Sequence, residues 1–223
     1  MNLLILPGGS SPYVEEYKPV YTLLRDEAEK RGYKEIQVAH YPGQADETGK
    51  ITGKGTLPGA VEAASKLIKQ FADKGPFRII ARSFSCNVSL LAIKKTGVTN
   101  LKDIVLWGPA PFWLVWEQFK KDYRKLYDVY LSTGTDISED YFDSEVPFEY
   151  LLKDYYDVPI IISTGAADKD YCPPCFFKYL EQICVDKKNI HFVDPVKEST
   201  HIMRPGDPGV KGYLNTLFRD YIN

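Results

Sequence analysis

The chain has 223 residues with 28 basic and 30 acidic side chains, for a formal charge of -2. That length gives one domain a substantial core and is short for two, and a composition of 44% hydrophobic and 26% charged residues excludes wholesale disorder. No long block of like charge is present, which argues against a nucleic acid or an anionic membrane as partner and leaves a small molecule.

Taken in chain order, short β-branched or leucine-rich runs alternate with stretches of helical spacing, the pattern of a parallel sheet covered by helices. Asn2 to Leu6 reads as the first strand, closed by Pro7-Gly8-Gly9-Ser10-Ser11-Pro12. Tyr17 to Arg31 repeats Tyr21, Leu23, Leu24 and Ala28 at helical spacing and stops at Gly32. Ile36 to His40 is a second strand, and Tyr41 to Pro58, rich in Pro, Gly and Thr, is a long loop of the kind set over a site. Val61 to Ala72 is an amphipathic helix ended by Gly75-Pro76. Phe77 to Ala81 is a strand, Cys86 to Lys95 a helix and Ile104 to Trp107 a strand, closed by Gly108-Pro109-Ala110-Pro111. From Phe112 to Asp157 the pattern turns aromatic and charged and reads as an insertion. Pro159 to Thr164 is the next strand, Pro173 to Val185 a helix, Ile190 to Val193 the last strand and Val210 to Tyr221 a terminal helix.

The N-terminal apolar run is only Leu3 to Leu6, without a basic start or a cleavage site, so it does not read as a signal peptide. No stretch reaches the roughly 18 apolar residues of a membrane span, and the default expectation is a cytoplasmic protein. Cys172-Pro173-Pro174-Cys175 has the spacing of a redox or metal pair. A zinc site needs two further ligands at suitable spacing, and the nearest histidine, His191, falls inside a strand. Reduced thiols in a loop and a helix start are the simpler reading.

The run Ile79-Ile80-Ala81-Arg82-Ser83-Phe84-Ser85-Cys86-Asn87-Val88 carries an apolar strand straight into a helix through a small-x-Ser-x-small sequence. A serine there sits on a sharp turn with its hydroxyl above the sheet, and small residues two places to either side let strand and helix close around it. Ala81 and Ser85 fill those places. The run resembles the nucleophile elbow of the α/β-hydrolase family, with Ala-x-Ser-x-Ser where the family usually has Gly-x-Ser-x-Gly. The bland alternative is an ordinary serine at a strand-to-helix turn, with Ser85 and Ser89 as decoys.

A hydroxyl is a weak nucleophile at neutral pH and needs a base, which in turn needs a carboxylate to fix its tautomer. The resemblance implies the chain order Ser, acid, His. It places the acid at Asp168, in the loop Gly165-Ala166-Ala167-Asp168, with Asp170 as competitor, and the base at His201, ahead of His40 and His191. A loop aspartate that only caps a helix is the alternative for either acid. The resemblance also implies an oxyanion hole built from the amides of Phe84 and Gly9, with Ser10 next to it as second choice and as a substrate contact. Trp113 and Trp116, in the insertion at about 112 to 157, are expected to line the substrate site from a helical cap, or only to hold that cap in place.

The fold implied is α/β, a doubly wound, mainly parallel sheet with a helical cap, in a single domain over 1–223. The activity implied is that of a serine hydrolase cleaving a carboxylic ester or thioester of a small molecule, with no metal or organic cofactor. The alternatives are a catalytically silent binding protein of the same fold, suggested by the loss of both elbow glycines, and a thiol redox protein using Cys172 and Cys175.

Overall fold

The computed structural model describes residues 1–111, 123–142, 146–153, 158–169 and 171–219. In chain order these form β1 (Asn2–Leu6), α1 (Lys18–Lys30), β2 (Ile36–Val38), α2 (Leu57–Asp73), β3 (Phe77–Arg82), α3 (Phe84–Thr96), β4 (Leu101–Trp107), α4 (Tyr123–Ser132), α5 (Phe148–Lys153), β5 (Ile160–Ser163), α6 (Pro174–Ile183), β6 (Ile190–Phe192) and α7 (Val210–Leu217). The strands make one sheet in the order β2-β1-β3-β4-β5-β6, and every pairing is parallel.

The strand sequences Asn2–Leu6, Phe77–Arg82 and Ile160–Ser163 are buried throughout, as expected where helices cover both faces of a parallel sheet. Alternate residues divide between two cores. Leu4, Leu6, Ile79, Ala81, Ile104 and Leu106 face one core, with α2, α3, α5 and α6 packed on them. Leu3, Ile5, Ile80, Val105 and Trp107 face the other, under α1 and α7. This is the doubly wound arrangement expected from the alternation of elements. The chain winds outward in one direction from β1 and in the other from β3, so the carboxyl ends of these two neighbouring strands form the switch point where such sheets place their ligands.

Two boundaries differ instructively from expectation. α2 starts at Leu57 rather than Val61, because Thr56 accepts a hydrogen bond from the Gly59 amide at 3.0 Å and Pro58 suits the first turn. The expected loop therefore gives up its last residues to the helix. α3 starts at Phe84 rather than Cys86, so the helix begins directly after Ser83. The rest of the 41–56 loop is pinned by isolated bridges, Gln44 to Thr135 and Gly55 to Ile137, which join it to the segment after α4. Tyr221, the expected end of the last helix, lies outside the described residues. Among the described residues no helix is long and apolar enough to cross a membrane.

Candidate active site

Ser83 sits between β3 and α3 with φ 50 and ψ -118, a left-handed conformation that costs a non-glycine residue about 1 to 3 kcal/mol. Backbone bonds hold it there: the Ser83 amide donates to the Trp107 carbonyl at 2.9 Å, and the Cys86 amide donates to the Ser83 carbonyl at 2.9 Å. Cys86 Sγ lies 3.4 Å from the Ala81 carbonyl, a closeness that the small side chain of Ala81 permits. The geometry lifts Ser83 out of the strand and starts the next helix beneath it.

Ser83, His201 and Asp168 form one hydrogen-bonded row. His201 Nε2 is 2.8 Å from Ser83 Oγ, and His201 Nδ1 is 2.7 Å from Asp168 Oδ2. The Asp168 carboxylate is 2% exposed, and its other oxygen accepts the Tyr171 amide at 3.1 Å. Burial acts to raise the Asp168 carboxyl, but the hydrogen bond to His201 and the amides of Tyr171 and Cys172 outweigh it and hold the pKa below the usual carboxylate value. The loops bearing Asp168 and His201 lie back to back: Ala167 donates to the Ser199 carbonyl at 2.8 Å, and a Cβ on Gly165 would come within 2.2 Å of that same oxygen. Gly108 has φ +57, and a Cβ there would stand 3.2 Å from the His201 ring. The glycine that closes β4 thus leaves room for the imidazole.

The turn after β1 is fixed through its carbonyls. Gln44, fully buried, donates from Nε2 to the carbonyls of Gly8 at 3.1 Å, Gly9 at 3.4 Å and Ser10 at 3.1 Å. Its own Oε1 accepts the Tyr41 amide at 3.0 Å. Tyr141 adds a second donor to the Gly9 carbonyl at 3.0 Å. Ser85 donates to the Pro7 carbonyl, and its oxygen is 2.7 Å from the Tyr41 hydroxyl. The Ser85 hydroxyl ties the turn to the elbow, a use that the family's usual glycine at this place does not have. The Gly8 amide donates to the Tyr21 hydroxyl at 3.0 Å, which leaves the Gly9 and Ser10 amides as the ones among the described residues without a protein acceptor on this turn.

Above Ser83 lies a cleft of about 60 Å³, lined among others by Gly8, Gly9, Arg82, Tyr130, Tyr171 and His201. Ser10 reaches it too, with Oγ 2.9 Å from Thr133 Oγ1. Tyr130 of α4 covers Gly9 so closely that a Cβ there would meet its ring at 2.7 Å. Tyr171 stacks against His201 with ring centres 4.4 Å apart. Neither tyrosine is distinguished in the sequence from its aromatic neighbours. Tyr141 and Phe142, by contrast, pack on the Phe84 ring at 4.3 and 5.8 Å and hold the inserted segment to the elbow helix.

Arg82, next to Ser83, is only 4% exposed. Its guanidinium lies between the rings of Tyr17 and Trp107, 5.3 and 5.2 Å from their centres. It donates to the Tyr21 hydroxyl at 3.5 Å and to the His201 carbonyl at 3.3 Å, while Nε meets no acceptor among the described residues.

Trp113, Trp116 and Asp170 lie outside the described residues. His40 does not line the cleft; its Nε2 is 2.9 Å from the Gln44 carbonyl. His191 stands in β6, away from the site. Ser89 donates to the Cys86 carbonyl within α3. The four cysteines are unbridged, with Cys172 buried and Cys175 exposed, and no group of three or more metal-ligating side chains occurs among the described residues.

No protein-family model matches the sequence, and no curated protein matches it significantly. Solved structures do. A monoacylglycerol lipase from Paleococcus ferrophilus is 16% identical with TM-score 0.62, covering 96% of this chain and 93% of its own. An esterase from Exiguobacterium antarcticum is 16% identical with TM-score 0.66, covering 97% and 90%. A thioesterase of prodiginine biosynthesis in Streptomyces coelicolor is 14% identical with TM-score 0.62, covering 97% and 88%. At this identity the likeness speaks for the fold, which is that of the α/β-hydrolases.

Proposed function

With the chain on an α/β-hydrolase fold, we propose that it is a serine hydrolase that cleaves a carboxylic ester or thioester of a small molecule through an acyl-enzyme. The observation that carries this reading is the row from Ser83 Oγ through His201 to Asp168, at 2.8 and 2.7 Å, on a strained turn at the sheet's switch point. Hydrolases, among them an esterase, a lipase and a thioesterase, recur among the structural neighbours and agree with it.

In this reading His201 Nε2 takes the Ser83 proton as Oγ attacks the acyl carbon. Asp168 keeps the Nδ1 proton in place and favours the imidazolium that forms. The amides of Phe84 and Gly9 hold the negative oxygen of the tetrahedral intermediate, a contribution of several kcal/mol in comparable sites. The intermediate collapses as His201 hands its proton to the departing oxygen or sulfur. Water, activated by the same imidazole, then frees the acid and restores Ser83.

A fluorophosphonate probe tests the assignment. Wild-type protein takes up one equivalent and Ser83→Ala none; an unlabelled wild type, or equal labelling of the variant, sinks it.

A further inference from the structure

Among the described residues, the charge on Arg82 meets no opposite charge. A guanidinium stays protonated at any physiological pH, yet among the described residues no carboxylate pairs with Arg82. Its acceptors are neutral, a hydroxyl and a carbonyl at 3.5 and 3.3 Å, and Nε has none. Neutral donors would serve both acceptors without burying a cation. The rings of Tyr17 and Trp107 offset part of the desolvation.

Arg82 is among the residues that line the cleft over Ser83. A Cβ placed on Gly8 would lie 3.0 Å from Arg82 Nη1 and 3.7 Å from Ser83 Cβ, so the charge and the nucleophile flank a single glycine. Among the described residues that line the cleft there is no carboxylate, and its polar side chains besides Arg82 include those of Ser10, Ser83, Thr133 and His201. The free space there is small, about 60 Å³.

From these features we infer that Arg82 is an anion-recognising residue, and that the substrate is an ester or thioester of a short acid carrying a second, ionised carboxylate. The inference rests on Ser83 being the nucleophile. A carboxylate oxygen accepts a charge-assisted bond from a single guanidinium nitrogen, and Nη1, beside Gly8, is the one placed nearest Ser83.

The test compares two substrates of equal size, monoethyl succinate and its neutral isostere ethyl succinamate, followed by proton release. A charge-assisted contact predicts that wild-type kcat/KM favours the anionic ester by about tenfold or more, and that Arg82→Gln brings the ratio of the two close to one. A wild-type ratio near one overturns the inference, as does a ratio that survives in the variant. An equal fall for both substrates in the variant, with the ratio retained, makes Arg82 a support for the His201 loop instead. Should Arg82→Gln fail to fold, wild-type protein alone decides: succinate slows fluorophosphonate labelling of Ser83 and succinamide does not, while equal effects overturn the inference. Labelling without discrimination removes only the anion subsite, whereas absence of both labelling and turnover removes the hydrolase reading beneath it.

Discussion

Asp168 combines two roles that a single substitution separates from overall packing. Its carboxylate is buried against His201, and replacing it with Asn keeps the shape while allowing the wrong imidazole tautomer. We expect Asp168→Asn to lower kcat by about 10⁴-fold with little change in KM. The same carboxyl also links stability to pH. Its folded pKa is held below the unfolded value of about 3.9. Folding thus favours the ionised form, and the stability this provides is complete above about pH 4 and lost as pH falls through the lower folded pKa. The urea midpoint of the wild type therefore falls on acidification below that point, and Asp168→Asn flattens the decline; equal slopes for the two proteins refute the linkage. The sequence leaves Asp168 and Asp170 as competitors because both follow the same strand, and only the loop's winding sets which carboxylate reaches His201. It hides the use of Ser85 for a related reason. That residue is conspicuous as a small neighbour of Ser83, but its contact with Pro7 joins positions 78 residues apart.

At the scale of elements, the turn after β1 is a rigid piece rather than a glycine-rich hinge. Gln44 Nε2 lies within hydrogen-bonding reach of three of its carbonyls, Tyr141 assists at Gly9, and Ser85 holds Pro7. Fixed carbonyls fix the orientation of the amides between them, which is where preorganised donors act on a transition state. Gln44→Glu keeps the size and replaces the donor with an oxygen facing those carbonyls. Its expected signature is a fall in kcat of about 10²-fold at nearly constant KM, with the thermal midpoint measured alongside; a loss of KM alone would show that the turn serves only substrate binding. Composition marks the loop that carries Gln44 as a cover for the site only in general terms, through its prolines and glycines. It does not mark Gln44, whose partners lie 34 to 36 residues away. Helix starts follow the same logic. The apolar period of α2 becomes visible at Val61, whereas its first turn depends on Thr56 and Pro58, residues that also suit a loop.

Across the whole molecule, the alternation of apolar strands with amphipathic helices makes the doubly wound sheet legible, because each strand must be buried on both faces. The order of Ser83, Asp168 and His201 at successive strand ends is legible with it. Which aromatic side chain of the inserted segment reaches the cleft is not, since Tyr130, Tyr141 and Phe142 look alike until packing sets the Tyr130 ring over Gly9 and the rings of the other two against Phe84. The opposite end of the sheet holds a feature independent of the site. Arg78 and Asp103 are paired across β3 and β4, with both side chains almost fully buried and Nε 2.5 Å from Oδ1. The five residues from Arg78 to Ser83 put this pair about 16 Å from the elbow. Arg78→Met strands a buried carboxylate and is expected to cost about 3 to 5 kcal/mol in urea unfolding. Adding Asp103→Leu removes the stranded charge and returns most of that stability, since a well-packed apolar pair is often as stable as a buried ion pair. In both variants kcat of the folded protein stays at the wild-type value, because neither side chain contacts the turn after β1, the elbow or the His201 loop. A double variant no more stable than Arg78→Met would mean that the pair is needed for the β3–β4 register itself, and a fall in kcat would mean that the register reaches Ser83.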